Sequence, residues 1–117
     1  MVQGIGIDIT EIARIKQAIA KTPNFVEQVL TPAEQAVLKK YQGQRYLEYV
    51  AGRFSAKESF TKALGTGLGK VSFQDISVLN LKSGQPYVEQ NVFPDKVLIS
   101  ISHSQNYVIT QILLDRE

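Results

Sequence analysis

Four charged side chains fall within ten consecutive positions of "RFSAKESFTK": Arg53, Lys57, Glu58 and Lys62. The cations suit an anionic group such as a phosphate. The glutamate does not, because a carboxylate beside a phosphate repels it unless something positive lies between them. Asp8, in "GIGIDIT", is a second carboxylate, set on a glycine-lined stretch. The chain has no cysteine and one histidine, His103, which excludes thiolate sites, cysteine nucleophiles and any multi-histidine metal site within one chain. A metal held here would need oxygen ligands, which points to Mg²⁺ or a similar hard cation.

Each of these groups also has a plainer role. Glu58 and Lys62 are four apart, and on a solvated helix such a pair is worth a few tenths of a kcal/mol (about 0.2–0.5) with no function attached. Arg53 and Lys57 are also four apart and both positive, which is slightly unfavourable without a nearby anion. "GTGLG", from Gly65, follows a helix where a nucleotide loop would precede one, so alone it suits a C-cap and turn. Asp8 with Glu11 matches a capping box. Ser102 and His103, in "SISHS" near a hairpin tip, form no nucleophile pair by sequence adjacency, since a triad is defined by geometry.

The elements that must position these residues follow from periodicity. "VQGIGIDI" alternates, with Ile5, Ile7 and Ile9 on one face and Gly4, Gly6 and Asp8 on the other, which predicts a strand with a lean face. "TEIARIKQAIAK" spaces Ile12, Ile15 and Ile19 as a helix, with Arg14, Lys16 and Lys21 on its surface. A second helix starts at "TPAEQAVLKKY", with Thr31 as N-cap, Pro32 in the first turn and Glu34 completing a capping box; Gly43 ends it. A third runs from about Gln44 to Leu64, with Ala56, Phe60, Ala63 and Leu64 on its core face and Gly65 as its stop. Beyond Gly69 the pattern turns to strands: "SFQDISVLNL", a turn at "SGQP", then "KVLISISHS" and "NYVITQILL" as a hairpin. A strand, three helices and a run of antiparallel strands forming a small sheet packed on the helices is an α+β arrangement.

The 117 residues predict a single domain, 1–117. Hydrophobic and charged contents of 44% and 21% are ordinary for a globular protein. No apolar run approaches the roughly 20 residues that span a bilayer, and the opening lacks the basic and apolar regions of a signal peptide. A cytoplasmic location with no membrane association is therefore expected. A net charge of +2 is too weak to argue for nucleic acid.

In combination, "GIDITEIARI", "FSAKESFTKALGTG" and "SISHS" resemble the holo-acyl-carrier-protein synthases, the short phosphopantetheinyl transferases, over essentially the whole chain. Gly6, Asp8 and Arg14 match that family's first motif; Phe54, Lys57, Glu58, Ser59 and Lys62 match its core motif. Val108 departs from a frequent alanine. The resemblance implies transfer of the phosphopantetheine arm of coenzyme A to a serine of an apo-acyl carrier protein, releasing adenosine 3′,5′-bisphosphate. It implies Mg²⁺ on Asp8 and Glu58, and catalysis by Glu58 and Lys62. The serine proton is taken by Glu58 or by a metal-bound water beside it. Coenzyme A would be held by Arg53, Lys57, Lys62, Gly65, Ser102 and His103. Arg14 would meet the acidic carrier protein, assisted by the charges of Lys16 and Lys21. The family's short members are homotrimers with active sites between subunits, so this chain is expected to need a second copy to complete its site.

Overall fold

The computed structural model describes residues 1–65 and 71–117. The chain runs through strand β1 (Val2–Glu11), helices α1 (Ile12–Lys21), α2 (Phe25–Val29), α3 (Pro32–Leu38) and α4 (Gly43–Leu64), and a 3₁₀ turn (Phe73–Asp75). Strands β2 (Ile76–Asn80), β3 (Pro86–Gln90), β4 (Lys96–His103) and β5 (Tyr107–Asp115) follow. The fold is α+β in the expected order. It differs in detail where local signals were short. Helix α2 has only five residues, too few for a periodic pattern, and begins after Asn24 in the left-handed region (φ 63°). The segment expected as one strand from Ser72 opens instead as the 3₁₀ turn, capped by Ser72 and Asp75. The strands also form two sheets, a three-stranded antiparallel one in the order β1-β5-β4 and a separate β2-β3 hairpin.

The capping box at Thr31 forms as its sequence predicts. Thr31 Oγ1 accepts from the Glu34 amide at 3.3 Å, and Glu34 Oε1 accepts from the Thr31 amide at 2.8 Å. The one at Asp8 and Glu11 does not. Pairing of β1 with β5 continues to Glu11, opposite Tyr107, which keeps the backbone extended past Asp8. Helix α1 therefore starts at Ile12, and the Ile12 amide finds its acceptor in the Asn106 carbonyl at 2.9 Å.

Helix α4 is the axis of the molecule. Ala56 and Phe60 are fully buried and Ala63 nearly so, as their spacing predicts, but burial extends round the helix to Arg53, Ser55, Lys57 and Ser59. One apolar cluster, around Ile15, Leu30 and Val50, packs on its first half. A second, around Phe60, Val78 and Ile112, packs on its second half.

The two faces of β1 are used in an unexpected sense. Ile5, Ile7 and Ile9 point away from the helices and are 58%, 59% and 63% exposed. Their cross-strand neighbours Leu113 and Ile109 on β5 share that outer face. The lean face is the one that packs. A Cβ on Gly6 would lie 2.7 Å from the Ala63 nitrogen of α4, and one on Gly4 would run into the Ala63 carbonyl. Glycine at these positions lets the strand touch the helix backbone. Gly6→Ala should therefore cost at least about 1–3 kcal/mol, the range for overpacking a closed interface, read as a lower urea midpoint. Parental stability in that variant would mean that β1 stands clear of α4.

Candidate active site

The close contact of β1 with α4 delivers Asp8, two residues beyond Gly6 on the same face of the strand, to the helix. Lys62 reaches back from α4 and donates to the Ile7 carbonyl at 3.0 Å and to Asp8 Oδ1 at 3.2 Å. Asp8 Oδ2 accepts from the hydroxyls of Thr10 at 2.7 Å and Ser55 at 2.8 Å. Glu58, one turn before Lys62, is half-buried, and it lines with Asp8 a cleft of about 300 Å³. Burial pushes the Glu58 carboxyl above its ordinary value; the charge of Asp8 pushes the same way, and Lys62 partly offsets both. Arg14 of α1 lines the same cleft, and Phe25 and Phe54 form an apolar part of its wall.

Arg53 and His103 meet in a different and larger cleft of about 730 Å³. The two clefts share no lining residue. Arg53 donates to the Val78 carbonyl at 3.1 Å and to Asn80 Oδ1 at 2.6 Å, with its guanidinium 3.9 Å from the centre of the Tyr49 ring. Lys40 and Arg45 add positive charge to this cleft, and Tyr41 and Tyr87 add aromatic surface. Tyr49 also lines it, with its hydroxyl buried and without a hydrogen-bond partner among the described residues. A cleft of cations and aromatic rings has the chemistry to receive a phosphorylated aromatic ligand.

Lys57 lies in neither cleft. It is fully buried, and its ammonium donates to the Val29 carbonyl at 2.7 Å, Glu34 Oε1 at 2.6 Å and the Phe73 carbonyl at 3.0 Å. Those three bonds use all three of its hydrogens. The anion implied by the like charges at Arg53 and Lys57 is thus Glu34, whose other oxygen accepts from the Val78 amide at 2.7 Å. In this arrangement Lys57 is spent within the fold, tying α4 to α3, β2 and the chain around Val29 and Phe73. Burial pulls the Lys57 ammonium below its ordinary value and the Glu34 carboxylate counters that. Gly65 ends α4 with φ 78°, as a C-cap glycine, its amide donating to the Thr61 and Lys62 carbonyls. The other glycines of "GTGLG", Gly67 and Gly69, lie outside the described residues. Ser102 is exposed and pairs with Ile109, on the outer face of the sheet and away from both clefts.

Among the described residues no group of three or more His, Asp or Glu side chains converges as a metal cage. The cleft's lining holds the carboxylates of Asp8, Glu11 and Glu58, and burial together with the charge of Asp8 raises the proton affinity of Glu58. That suits a hard cation such as Mg²⁺, which commonly takes one or two protein carboxylates and completes its shell with water and phosphate oxygens. The hydroxyls of Thr10 and Ser55 and the larger cleft's Lys40, Arg45 and Tyr49 were not singled out from sequence. Arg45, Tyr49 and Arg53 recur at helical spacing of four, which is the signal that would have found Arg45 and Tyr49.

Because its pKa is raised in the folded state, ionised Glu58 opposes folding above the ordinary carboxylate range. With divalent ions chelated, Glu58→Gln should melt higher than the parent at neutral pH. The gap should close as pH falls through that range and the parent's Glu58 takes up its proton. A gap independent of pH, or of opposite sign, would remove the charge conflict from the site.

The family model of the 4′-phosphopantetheinyl transferase superfamily matches residues 4–112. The chain is 49% identical to the holo-[acyl-carrier-protein] synthase of Limosilactobacillus fermentum, over 99% of this chain and 98% of that one. It is 47% identical to that of Enterococcus faecalis over the full length of both. The crystal structure of a holo-(acyl-carrier-protein) synthase from Bacillus anthracis in complex with CoA (3′,5′-ADP) superimposes with a TM-score of 0.91 at 46% identity, covering 97% of this chain and 96% of that one. The Helicobacter pylori synthase in complex with coenzyme A gives 0.82 at 30% identity, covering 95% and 99%. The chain belongs to the 4′-phosphopantetheinyl transferase superfamily, with the holo-[acyl-carrier-protein] synthases.

Proposed function

We propose that this chain transfers the 4′-phosphopantetheine arm of coenzyme A to a serine hydroxyl of an apo-acyl carrier protein, in a Mg²⁺-dependent reaction of the cytoplasm that primes carriers for fatty acid biosynthesis. The observation that carries this assignment is the convergence of Asp8, Glu58, Lys62 and Arg14 at one place, in a chain of this family. The serine oxygen bonds to the pantetheine-bearing phosphorus. The pyrophosphate bridge breaks, and adenosine 3′,5′-bisphosphate leaves with the electron pair. Asp8 and Glu58 are the residues that would hold Mg²⁺, which when bound supplies charge neutralisation at the pyrophosphate. Lys62, exposed and bonded to Asp8, is suited to offset negative charge developing on the phosphoryl oxygens. Glu58, with its raised proton affinity, is suited to take the serine proton. Arg14 offers a cation to an acidic carrier, where opposite charge raises the encounter rate, and Lys16 and Lys21 stand exposed on the same helix.

Arg53 and His103 are assigned to the adenosine bisphosphate end of coenzyme A, in the cleft they share with Lys40 and Arg45. Gly65, at the end of α4, and Ser102, on the outer face of the sheet, are assigned to contacts with coenzyme A on the family resemblance. Neither cleft by itself combines the carboxylates with those cations, which supports a homotrimer whose active sites lie between subunits. The outer face of the β1-β5-β4 sheet supports the same assembly. A row of exposed Ile5, Ile7, Ile9, Leu98 and Ile109 is an unusual expanse of apolar surface for a chain of this size to leave in water. Among the described residues no helix is long and apolar enough to cross a membrane, so a bilayer-spanning helix is not what that surface serves.

Incubation with an apo-carrier protein, coenzyme A and Mg²⁺ should add one phosphopantetheine mass to the carrier, and chelation should abolish the addition. No added mass with a panel of carriers would reject the assignment, and coenzyme A consumed without carrier would indicate hydrolysis instead. In light scattering the chain should behave as three copies. Ile7→Lys should shift it to lower mass and cost most of the transfer rate; a lower mass with full activity would separate assembly from catalysis.

A further inference from the structure

Asp8 is gripped from behind by a chain of buried hydroxyls. Ser55 Oγ lies 2.8 Å from Asp8 Oδ2 and 2.9 Å from Thr110 Oγ1, and Thr110 Oγ1 lies 2.6 Å from Ser59 Oγ. Ser55, Ser59 and Thr110 are all fully buried. The hydrogen directions in this chain can be followed back from its acceptor end. An ionised carboxylate only accepts, so the single hydrogen of Ser55 goes to Asp8. Ser55 must then accept from Thr110. Thr110, having given its hydrogen to Ser55, accepts from Ser59, whose hydrogen also has the Thr110 carbonyl within reach at 3.1 Å. The three hydroxyls therefore align as donors toward one acceptor, crossing from α4 to β5 and back to α4 before ending on β1. Thr10 supplies a second donor to the same oxygen at 2.7 Å.

With two donors on Oδ2, the free acceptor capacity of Asp8 lies on Oδ1, which Lys62 approaches at 3.2 Å. Aligned hydroxyls polarise one another, so the terminal bond to Asp8 is stronger than an isolated one. Apolar side chains would fill the same interior more cheaply than three hydroxyls that must all be satisfied. What the hydroxyls add is a fixed orientation at Asp8. We propose that Ser55, backed by Thr110 and Ser59 and joined by Thr10, is a positioning residue that presents Asp8 Oδ1 as the oxygen available to a divalent cation. The inference rests on the metal role assigned to Asp8 above.

Mn²⁺ is the probe, titrated into the intact protein with saturating coenzyme A while free Mn²⁺ is counted by electron paramagnetic resonance. The parent chain should deplete Mn²⁺ beyond coenzyme A alone; no depletion would overturn the metal assignment itself. Given depletion by the parent, Ser55→Ala should bind Mn²⁺ about 10–100-fold more weakly, the usual cost of losing a partner that orients a metal ligand. Thr110→Val, close in shape and one bond further from Asp8, should move affinity in the same direction by less, and it carries the test if Ser55→Ala does not fold. In transfer assays both should raise the Mg²⁺ concentration for half-maximal rate and leave the rate at saturating Mg²⁺ near the parent's. Ser77→Ala, which removes a hydroxyl bonded to Thr31 far from the cleft, should leave Mn²⁺ affinity unchanged. Parental Mn²⁺ affinity in folded Ser55→Ala or Thr110→Val, with only a loss of melting temperature, would overturn the proposal and leave the hydroxyls a purely structural role.

Discussion

The distance between β1 and α4 governs the rest of the molecule. Two glycines on the inner face of the strand remove the side chains that would hold the elements apart, and the backbone of Ala63 occupies that space. Asp8 and Glu58 lie 50 positions apart in the chain and come to one cleft because of that approach. A strand with ordinary side chains at Gly4 and Gly6 would stand off the helix, and Asp8 would lose Ser55 and Lys62 together. The β1-β5 pairing supplies the other half of the constraint. It holds β1 straight through Asp8 and brings Thr110 opposite it.

Helix α4 distributes its charges by how much water each can reach. Lys57 sits in the interior, where a charge survives only if paired and fully hydrogen-bonded, and it has Glu34 and two carbonyls for that purpose. Arg53 is buried too, with a carbonyl, an amide oxygen and an aromatic ring as partners, yet its edge reaches the larger cleft. Lys62 remains in solvent. Glu58 is held at the cleft with burial and the charge of Asp8 both opposing its own charge, which marks a place where a counter-charge from outside the chain would be welcome.

Much of this was legible from the residues. The long helix to Gly65, the Thr31 cap, the final hairpin and the α+β order follow from local chemistry that tertiary structure does not override. The carboxylates stood out because they were wrong for their neighbourhood. What was illegible was direction. Alternation in β1 separates two faces and does not say which is inside; apolar isoleucines point inward in a lone strand, and here they point outward. The partner of Lys57 was illegible for a related reason. Helical spacing places it beside Arg53 and cannot reveal that Glu34, on another helix, is its partner. The hydroxyls behind Asp8 left no signal because serine and threonine are unremarkable residues until their partners are assembled in space.

The adjacency of Lys57 and Glu58 has a consequence for how this chain can vary in length. Neighbouring residues on an α-helix are separated by about 100° of rotation, so one residue faces the interior and the next faces the cleft. Deleting a single position before them within α4 would turn the glutamate into the socket shaped for an ammonium, and adding one would carry the lysine out toward the carboxylates. The helix is a cam whose angular setting couples the interior to the chemistry, and it cannot be reset in steps of one residue. Insertions can be absorbed in the turns around Pro23 and Ser83, outside the helix, where no such coupling exists.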